Sequence, residues 1–230
     1  MITHSADPQT DRRAMYREMQ RSIPGLDAMY RLVPALVTNH ADDALSILVV
    51  GAGGGREIEA LGDCNAVGRI TAIDPSARNL DTARVTAACS GASSEVRFIV
   101  GTVRDLQSGE AFDLVTSLLV MHHLHDDGAK LEYLKSLRDR LAPGGRLIHA
   151  DVCFGDFEDF DRLIPIYLAY ADIVGVCSDA TRLELSAIPQ LPIISGRRTR
   201  ALFVEAGLTE PVEVFRSLWY RCWTSSRAPQ

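Results

Sequence analysis

Three groups of residues in this sequence have types and spacing suited to chemistry. The first is Gly51-Ala52-Gly53-Gly54-Gly55, with glycines at alternate positions directly after the apolar run Ile47–Val50. Glycine takes left-handed backbone angles at no steric cost, so such a turn brings the main chain close to a ligand and aims N–H groups at it. The spacing is not that of the dinucleotide fingerprint, because Arg56 stands where its third glycine would be. The second is Asp74, which closes another apolar run about twenty residues further on, the separation at which a carboxylate receives ribose hydroxyls in a βαβ unit. It could instead cap the helix that follows. The third is the trio His122, His123 and His125, just after a fourth apolar run. Histidine titrates near neutrality and can take a proton from an acceptor. His123 is the candidate base, and packing at a strand–helix corner is the alternative for each ring. His149, inside a fifth apolar run, reads as a packed core residue.

These groups need a frame that brings them together. Ile47–Gly51, Gly68–Asp74, Val96–Val100, Asp113–Leu119 and Arg146–Val152 read as strands, continuous in apolar character as buried parallel strands are. Arg56–Leu61, Ala77–Ala88 and Gly128–Leu141 read as the helices between them, the last with Leu131, Leu134, Leu137 and Leu141 at helical spacing. This alternation predicts an α/β fold, a doubly wound and mostly parallel sheet with right-handed crossovers. Beyond it, Phe154–Cys177 reads as an aromatic, acidic helix, and Thr181–Ile194, with Pro189 and Pro192, as a loop or broken helix. Gly196–Ala206 reads as a short basic helix, and Val212–Arg216 with Trp219–Thr224 as a closing antiparallel hairpin. Before the sheet, Asp11–Gln20 and Leu26–Thr38 read as helices, the second interrupted or bent at Pro34.

The expected organisation is a helical cap over residues 1–45, then a cofactor-binding domain over 46–230 with a lid insertion at 153–200. The cap carries Tyr16, Arg21 and Tyr30, which either face a ligand or pack. The lid carries Phe154, Phe157, Phe160, Tyr167 and Tyr170, which either line an aromatic acceptor pocket or pack on the sheet. Asp151 and Arg182 are further candidates for polar substrate groups.

At 230 residues and 47% hydrophobic content, the chain suffices for one domain with a substantial core. A net charge of −6 argues against a broad nucleic-acid face. Cys64, Cys89, Cys153, Cys177 and Cys222 are scattered, without a C-x-x-C pair, so no metal site or disulfide framework is expected. No leader-like apolar segment opens the sequence and none reaches membrane-spanning length, which predicts a cytoplasmic protein with no membrane partner.

Taken in order, the glycine turn, Asp74, Phe112-Asp113-Leu114-Val115, Leu141-Ala142-Pro143-Gly144-Gly145-Arg146-Leu147 and the closing strand pair resemble the class I S-adenosylmethionine-dependent methyltransferases. The resemblance implies a Rossmann-like sheet of seven strands, the last antiparallel, and S-adenosyl-L-methionine as cofactor. It implies that Gly51, Ala52 and Gly53 hold the methionine portion and that Asp74 receives the ribose, with Pro75 beside the adenine. Thr102 and Val103 would contact adenine, and Leu118 would line the sulfonium pocket. Two departures are Val49 and Thr102, where many members have an acid. His123 and Tyr30 are then the catalytic candidates, with Tyr16 and Arg21 as cofactor contacts from the cap.

A narrower likeness joins Gln20-Arg21-Ser22-Ile23-Pro24-Gly25 and Val214-Phe215-Arg216-Ser217-Leu218-Trp219-Tyr220 to the tRNA wobble-uridine carboxymethyltransferases, which use a carboxylated form of the cofactor. Their cofactor-carboxylate arginine would align on Arg182, but Leu26 stands where they have a tyrosine. The leading expectation is methyl transfer to oxygen or nitrogen of a small molecule, in specialised metabolism, with a homodimer as the assembly to test. The alternatives are a cyclase or lyase that releases methylthioadenosine, a tRNA-modifying enzyme, and a binding module without turnover.

Overall fold

β1 (Leu45–Val50) is the centre of the sheet, and its sequence explains why. All six residues are buried. Ile47 and Val49 enter one core, Leu48 and Val50 the other. Side chains alternate across a strand, so one covered on both faces must be apolar throughout. The computed structural model describes residues 17–38, 44–62, 64–90 and 95–229. In it, β1 pairs in parallel with β2 (Val67–Asp74) on one side and β4 (Phe112–Leu118) on the other. With β3 (Glu95–Val100), β5 (Leu141–Val152), β6 (Val212–Ser217) and β7 (Tyr220–Ser226), the sheet has seven strands in the order β3-β2-β1-β4-β5-β7-β6. The strand order reverses between β1 and β4, and open α/β sheets bind ligands at the carboxyl ends beside such a switch point. β7 lies between β5 and β6 and runs antiparallel to both. The expected doubly wound sheet with an antiparallel last strand is the fold observed.

Helices cover both faces. α1 (Leu26–Thr38), α2 (Arg56–Gly62) and α3 (Ala77–Ser90) put Met29, Val33, Ile58, Leu61 and Leu80 against Ile47 and Val49. α4 (Ala129–Arg138) and α7 (Gly196–Glu205) put Leu134, Leu137, Leu202 and Phe203 against Leu48 and Val50. Between them in sequence, α5 (Phe157–Ile173) and α6 (Ser178–Ala187) form the inserted pair. α5 buries Phe160 and Tyr167 against Trp219, with ring centroids 4.7 and 5.4 Å away.

Some boundaries differ from the sequence reading. α4 stops at Arg138, and Leu141 opens β5. Leu141 keeps helical spacing with Leu134 and Leu137, but its strand partner is Phe112, whose N–H donates to Arg140 O at 2.8 Å. Cross-strand pairing overrides the periodicity there. The segment read as a loop or broken helix from Thr181 is the second: it is helical as far as Ala187, and Pro189 lies in the short 3-10 turn Ile188–Gln190 that follows. α1 runs through Pro34 without interruption. The first expected helix lies outside the described residues as far as 16, Tyr16 included, and residues 17–21 are helical. Among the described residues, no helix is long and apolar enough to cross a membrane.

Candidate active site

The glycine turn is built by close packing at its ends and openness at its centre. Gly51, Gly53 and Gly55 have φ of +72°, +50° and +82°. A Cβ on Gly51 would stand 2.4 Å from Val120 Cγ2, and one on Gly55 2.8 Å from Ala83 Cα. Both positions need glycine for space as well as for conformation. A Cβ on Gly53 would meet nothing nearer than Gly51 O at 3.6 Å, so the turn faces open space there. Gly51 N–H and Ala52 N–H donate to Ile73 O at 2.8 and 3.1 Å, which ties the turn to β2.

Asp74 completes that tie. Its Oδ2 accepts from Gly53 N–H at 3.0 Å, and its Oδ1 accepts from Ser76 N–H at 2.8 Å and Asn79 Nδ2 at 3.2 Å. The carboxylate thus braces the entry to α3 and also stands on the cavity wall. Asn79 Nδ2 also reaches Oδ2, at 3.4 Å, so the protein itself engages all of the roughly four acceptor positions of the carboxylate.

A cavity of about 560 Å³ connects these groups to the strand ends and the cap. Its wall includes Gly51, Ala52, Gly53, Asp74 and Pro75 from the β1–β2 side, Leu118 and His123 from the β4 side, and Arg21 and Tyr30 from the cap. The structure therefore brings together nine of the twelve expected site residues. Thr102 and Val103 stand elsewhere. Thr102 N–H and Oγ1 donate to Asp105 Oδ2 at 2.7 and 2.9 Å, capping the 3-10 turn Val103–Asp105, and Val103 is buried in the Leu48 core. Tyr16 lies outside the described residues.

The Arg56 guanidinium links the cap to the start of α2. Arg56, at the start of α2, bonds Gln20 Oε1 at 2.9 Å, pairs with Asp27, and lies 4.3 Å from the centroid of the Tyr30 ring. Arg21 ties residues 17–21 to the end of α5, donating to Val174 O at 2.8 Å and pairing with Glu18 at 2.5 Å. Arg182 is exposed and pairs with Asp179 at 3.1 Å, away from the cavity. None of the insertion's aromatic residues lines the cavity: Phe160 and Tyr167 are buried, Phe157 is exposed, and Phe154 bridges Phe157 and Phe160 at 5.7 and 5.2 Å.

At the end of β4 the backbone is strained. Leu119 has φ of +62°, a left-handed angle that costs an L-residue roughly 1–2 kcal/mol. This angle swings the chain into the 3-10 turn Met121–His123 and leaves Leu119 and Val120 on the cavity wall. Two buried charged residues hold that turn. Lys130 Nζ donates to Met121 O at 2.8 Å. Asp151 Oδ1 accepts from His122 N–H at 3.2 Å and lies 2.5 Å from His122 Nδ1. Asp151 therefore supports His122 from beneath, rather than reaching for substrate. The His122 and His123 rings lie 4.3 Å apart between centroids, tilted by 58°, and His123 is the one that reaches the cavity.

Protonation follows from these surroundings. Desolvation lowers the pKa of His123, His122 and Lys130 lower it further, and Asp151 opposes them. The ring is therefore neutral near pH 7 and free to accept a proton. Burial alone would raise Asp151, but its hydrogen bond with His122 and the positive surroundings hold it below the ordinary range, as an anion. His149 is buried between Phe203 and Trp223, and burial lowers its pKa to about 4. It is the packed core residue that its position in the strand predicts.

Sequence reasoning missed Glu57 and Lys130, though both left a signal. Glu57 shares its helix face with Leu61, and Lys130 shares its face with Leu134 and Leu137. A charged residue in register with an apolar stripe points inward. Glu57 lines the cavity, and its Oε1 has no hydrogen-bond partner among the described residues.

Residues 47–145 match the family described as "Methyltransferase domain". The chain is 36% identical over 103 residues to a ubiquinone biosynthesis O-methyltransferase of Paramagnetospirillum magneticum, covering 45% of this chain and 39% of that protein. It is 34% identical over 110 residues to the protein of the same name from Caulobacter, covering 47% and 41%. The matched region is thus about two fifths of those relatives' length. Among solved structures, the N-methyltransferase NodS of Bradyrhizobium japonicum, in complex with S-adenosyl-L-homocysteine, superposes with a TM-score of 0.62 at 17% identity. That superposition covers 95% of this chain and 98% of that one. The 1,6-didemethyltoxoflavin-N1-methyltransferase of Burkholderia thailandensis superposes at 0.57 and 20% identity, covering 100% and 94%. Both show the fold.

The site fits the cofactor that this fold implies. The opening at Gly53 leaves bare backbone for an amino-acid tail, Asp74 puts a carboxylate on the cavity wall for a ribose diol, and Glu57 offers a carboxyl oxygen without a partner among the described residues. Residues 47–145 thus match a methyltransferase domain, and the seven-stranded sheet that contains them has the fold of solved methyltransferases.

Proposed function

We propose that this protein methylates an oxygen or nitrogen of a small-molecule acceptor. The observation that carries this reading is one cavity joining the glycine turn and Asp74 to Leu118 and His123. Its volume, about 560 Å³, is in the range of small-ligand sites. The names of the curated relatives favour oxygen as the acceptor atom, and the N-methyltransferase structures keep nitrogen in view.

S-adenosylmethionine, when bound, supplies an electrophilic methyl on its sulfonium. The chain's residues orient, dehydrate and deprotonate. Gly51–Gly53 and Asp74 hold the cofactor's polar ends. Leu118, Leu119 and Val120 line the β4 side with apolar groups that exclude water. His123 accepts the acceptor's proton on its imidazole, and the Asp151 carboxylate behind His122 favours the cation that forms. Tyr30, held under Arg56, closes the cavity from the cap and orients the acceptor. Residues 1–45 act as the cap and 153–200 as a lid framing the acceptor entrance. The acidic chain, its tied-down Arg182 and its unpaired cysteines suit a small acceptor in the cytoplasm rather than a tRNA.

The test is to incubate purified protein with S-adenosylmethionine and a panel of phenols, carboxylates and amines, and to identify the nucleoside product by mass spectrometry. Adenosylhomocysteine formed only with an acceptor is the expected result. Methylthioadenosine formed without one would overturn methyl transfer in favour of a lyase or cyclase. With a reactive acceptor in hand, His123→Ala should lower kcat by at least ~100-fold, with cofactor affinity within about threefold of wild type.

A further inference from the structure

An acidic side chain in the wall of the cavity has one oxygen that no described residue hydrogen-bonds. Glu57 is 3% exposed, lines the same space as Gly51–Gly54 and Asp74, and leaves Oε1 without a partner among the described residues. The nearest cation is committed elsewhere, since the Arg56 guanidinium engages Gln20, Asp27 and the Tyr30 ring. The other groups acting on Glu57 bring no positive charge. Asp74 on β2 adds a negative one, and burial keeps the Tyr133 phenol on α4 neutral. The remaining charged residues on the wall are Arg17, Arg21, Asp27 and Glu59, with neutral His123. A buried carboxyl with an empty acceptor position is costly unless a ligand completes it.

Of the cofactor's groups, the carboxylate would be repelled by ionised Glu57, and the ribose hydroxyls and the adenine amine are neutral donors. The sulfonium is cationic but carries no N–H. Only the ammonium brings both a positive charge and hydrogen-bond donors. Resting on the S-adenosylmethionine reading above, we propose that Glu57 receives the ammonium group of the cofactor's amino-acid tail, forming an ion pair that only binding completes. Burial pushes the Glu57 carboxyl up to about 8, with its own backbone N–H and Arg56 opposing and Asp74 adding to the rise. At pH 7 the group therefore carries a proton in the free protein. Forming the pair transfers that proton to the buffer while the ammonium keeps its own. Binding then releases up to one proton, and it tightens as pH rises to about 8.

Calorimetry can decide this. Wild type is titrated with S-adenosylhomocysteine and with the analogue in which hydrogen replaces the α-amino group. The analogue should bind roughly 10- to 100-fold more weakly, as expected for loss of a charge-assisted bond. In Glu57→Gln the two ligands should differ by less than about threefold. Repeating the wild-type titration at pH 7 in buffers of different ionisation enthalpy should show proton release, and Glu57→Gln should show none. Equal affinity of wild type for the two ligands overturns the proposal and leaves the cofactor reading standing. Failure of wild type to bind either ligand defeats the cofactor reading itself. The comparison within wild type decides the matter whether or not the variant folds.

Discussion

The two ends of the cavity are held by different kinds of contact. At the glycine turn, Asp74 gathers Gly53, Ser76 and Asn79, with two of its three donors being backbone amides. At the β4–β5 end, Asp151 gathers His122, twenty-nine residues earlier in the chain, and Lys130 braces the same turn from α4. There, side chains from separate elements meet in the interior. Nearby, Glu184 of the insertion accepts from Tyr220 of β7, and burial raises the pKa of both. The first end is a backbone device that shapes a surface for a ligand. The second is a buried polar assembly that positions one exposed ring. Removing Asp74 should therefore be felt mainly in binding, and removing Asp151 mainly in stability.

That contrast can be broken by experiment. Asp151→Ala should cost about 3–5 kcal/mol, because it strips a buried partner from His122. The midpoint of thermal unfolding should fall by roughly 10 °C, with cofactor affinity within threefold; a midpoint within 2 °C of wild type would refute the buried assembly. Asp74→Ala should weaken S-adenosylhomocysteine binding by about 100-fold, near 3 kcal/mol, and calorimetry showing unchanged affinity would dissolve the ribose assignment. Glu57 sharpens the comparison through pH. Its carboxyl is raised in the folded protein from 4.5 to about 8, so between those values the folded state holds a proton that the unfolded state has lost. Stability must then fall as pH rises across that window, by at most about 1.4 kcal/mol per unit from this group. Denaturant titrations from pH 5 to 8 should show the slope in wild type and its loss in Glu57→Gln. The smallest effect belongs to Arg182→Ala, an exposed pair with Asp179, which should change stability by under about 0.5 kcal/mol and leave cofactor affinity untouched. A clear loss of affinity would bring the carboxylate-binding role of this arginine back into consideration.

How much could be read in advance follows from the same contrast. Apolar runs and glycines report local geometry, so the strands, the turn and Asp74 were legible from spacing alone. Thr102 and Val103 were not, because the choice between facing a ligand and capping a turn depends on Asp105, three residues away, whose carboxylate captures Thr102. The aromatic insertion left two readings open for a related reason. Phe160 and Tyr167 have the residue types of a pocket, but Trp219 from the far end of the sequence fills the space between them. Glu57 and Lys130 sit between these cases. Each interrupts an apolar stripe at helical spacing, which reveals that the charge is inside but not what it meets.

The position of β7 bears on how the molecule assembles. β5 offers one edge to β4 and the other to β7, while β6, made earlier on the ribosome, reaches the sheet only through β7. Until residue 226 has emerged, β5 keeps an open edge and β6 has no strand to join. A nascent chain stopped before that point would display unpaired N–H and C=O groups along a largely buried strand, the kind of edge that recruits other chains. Folding of the catalytic half is in this sense gated by translation of its final hairpin.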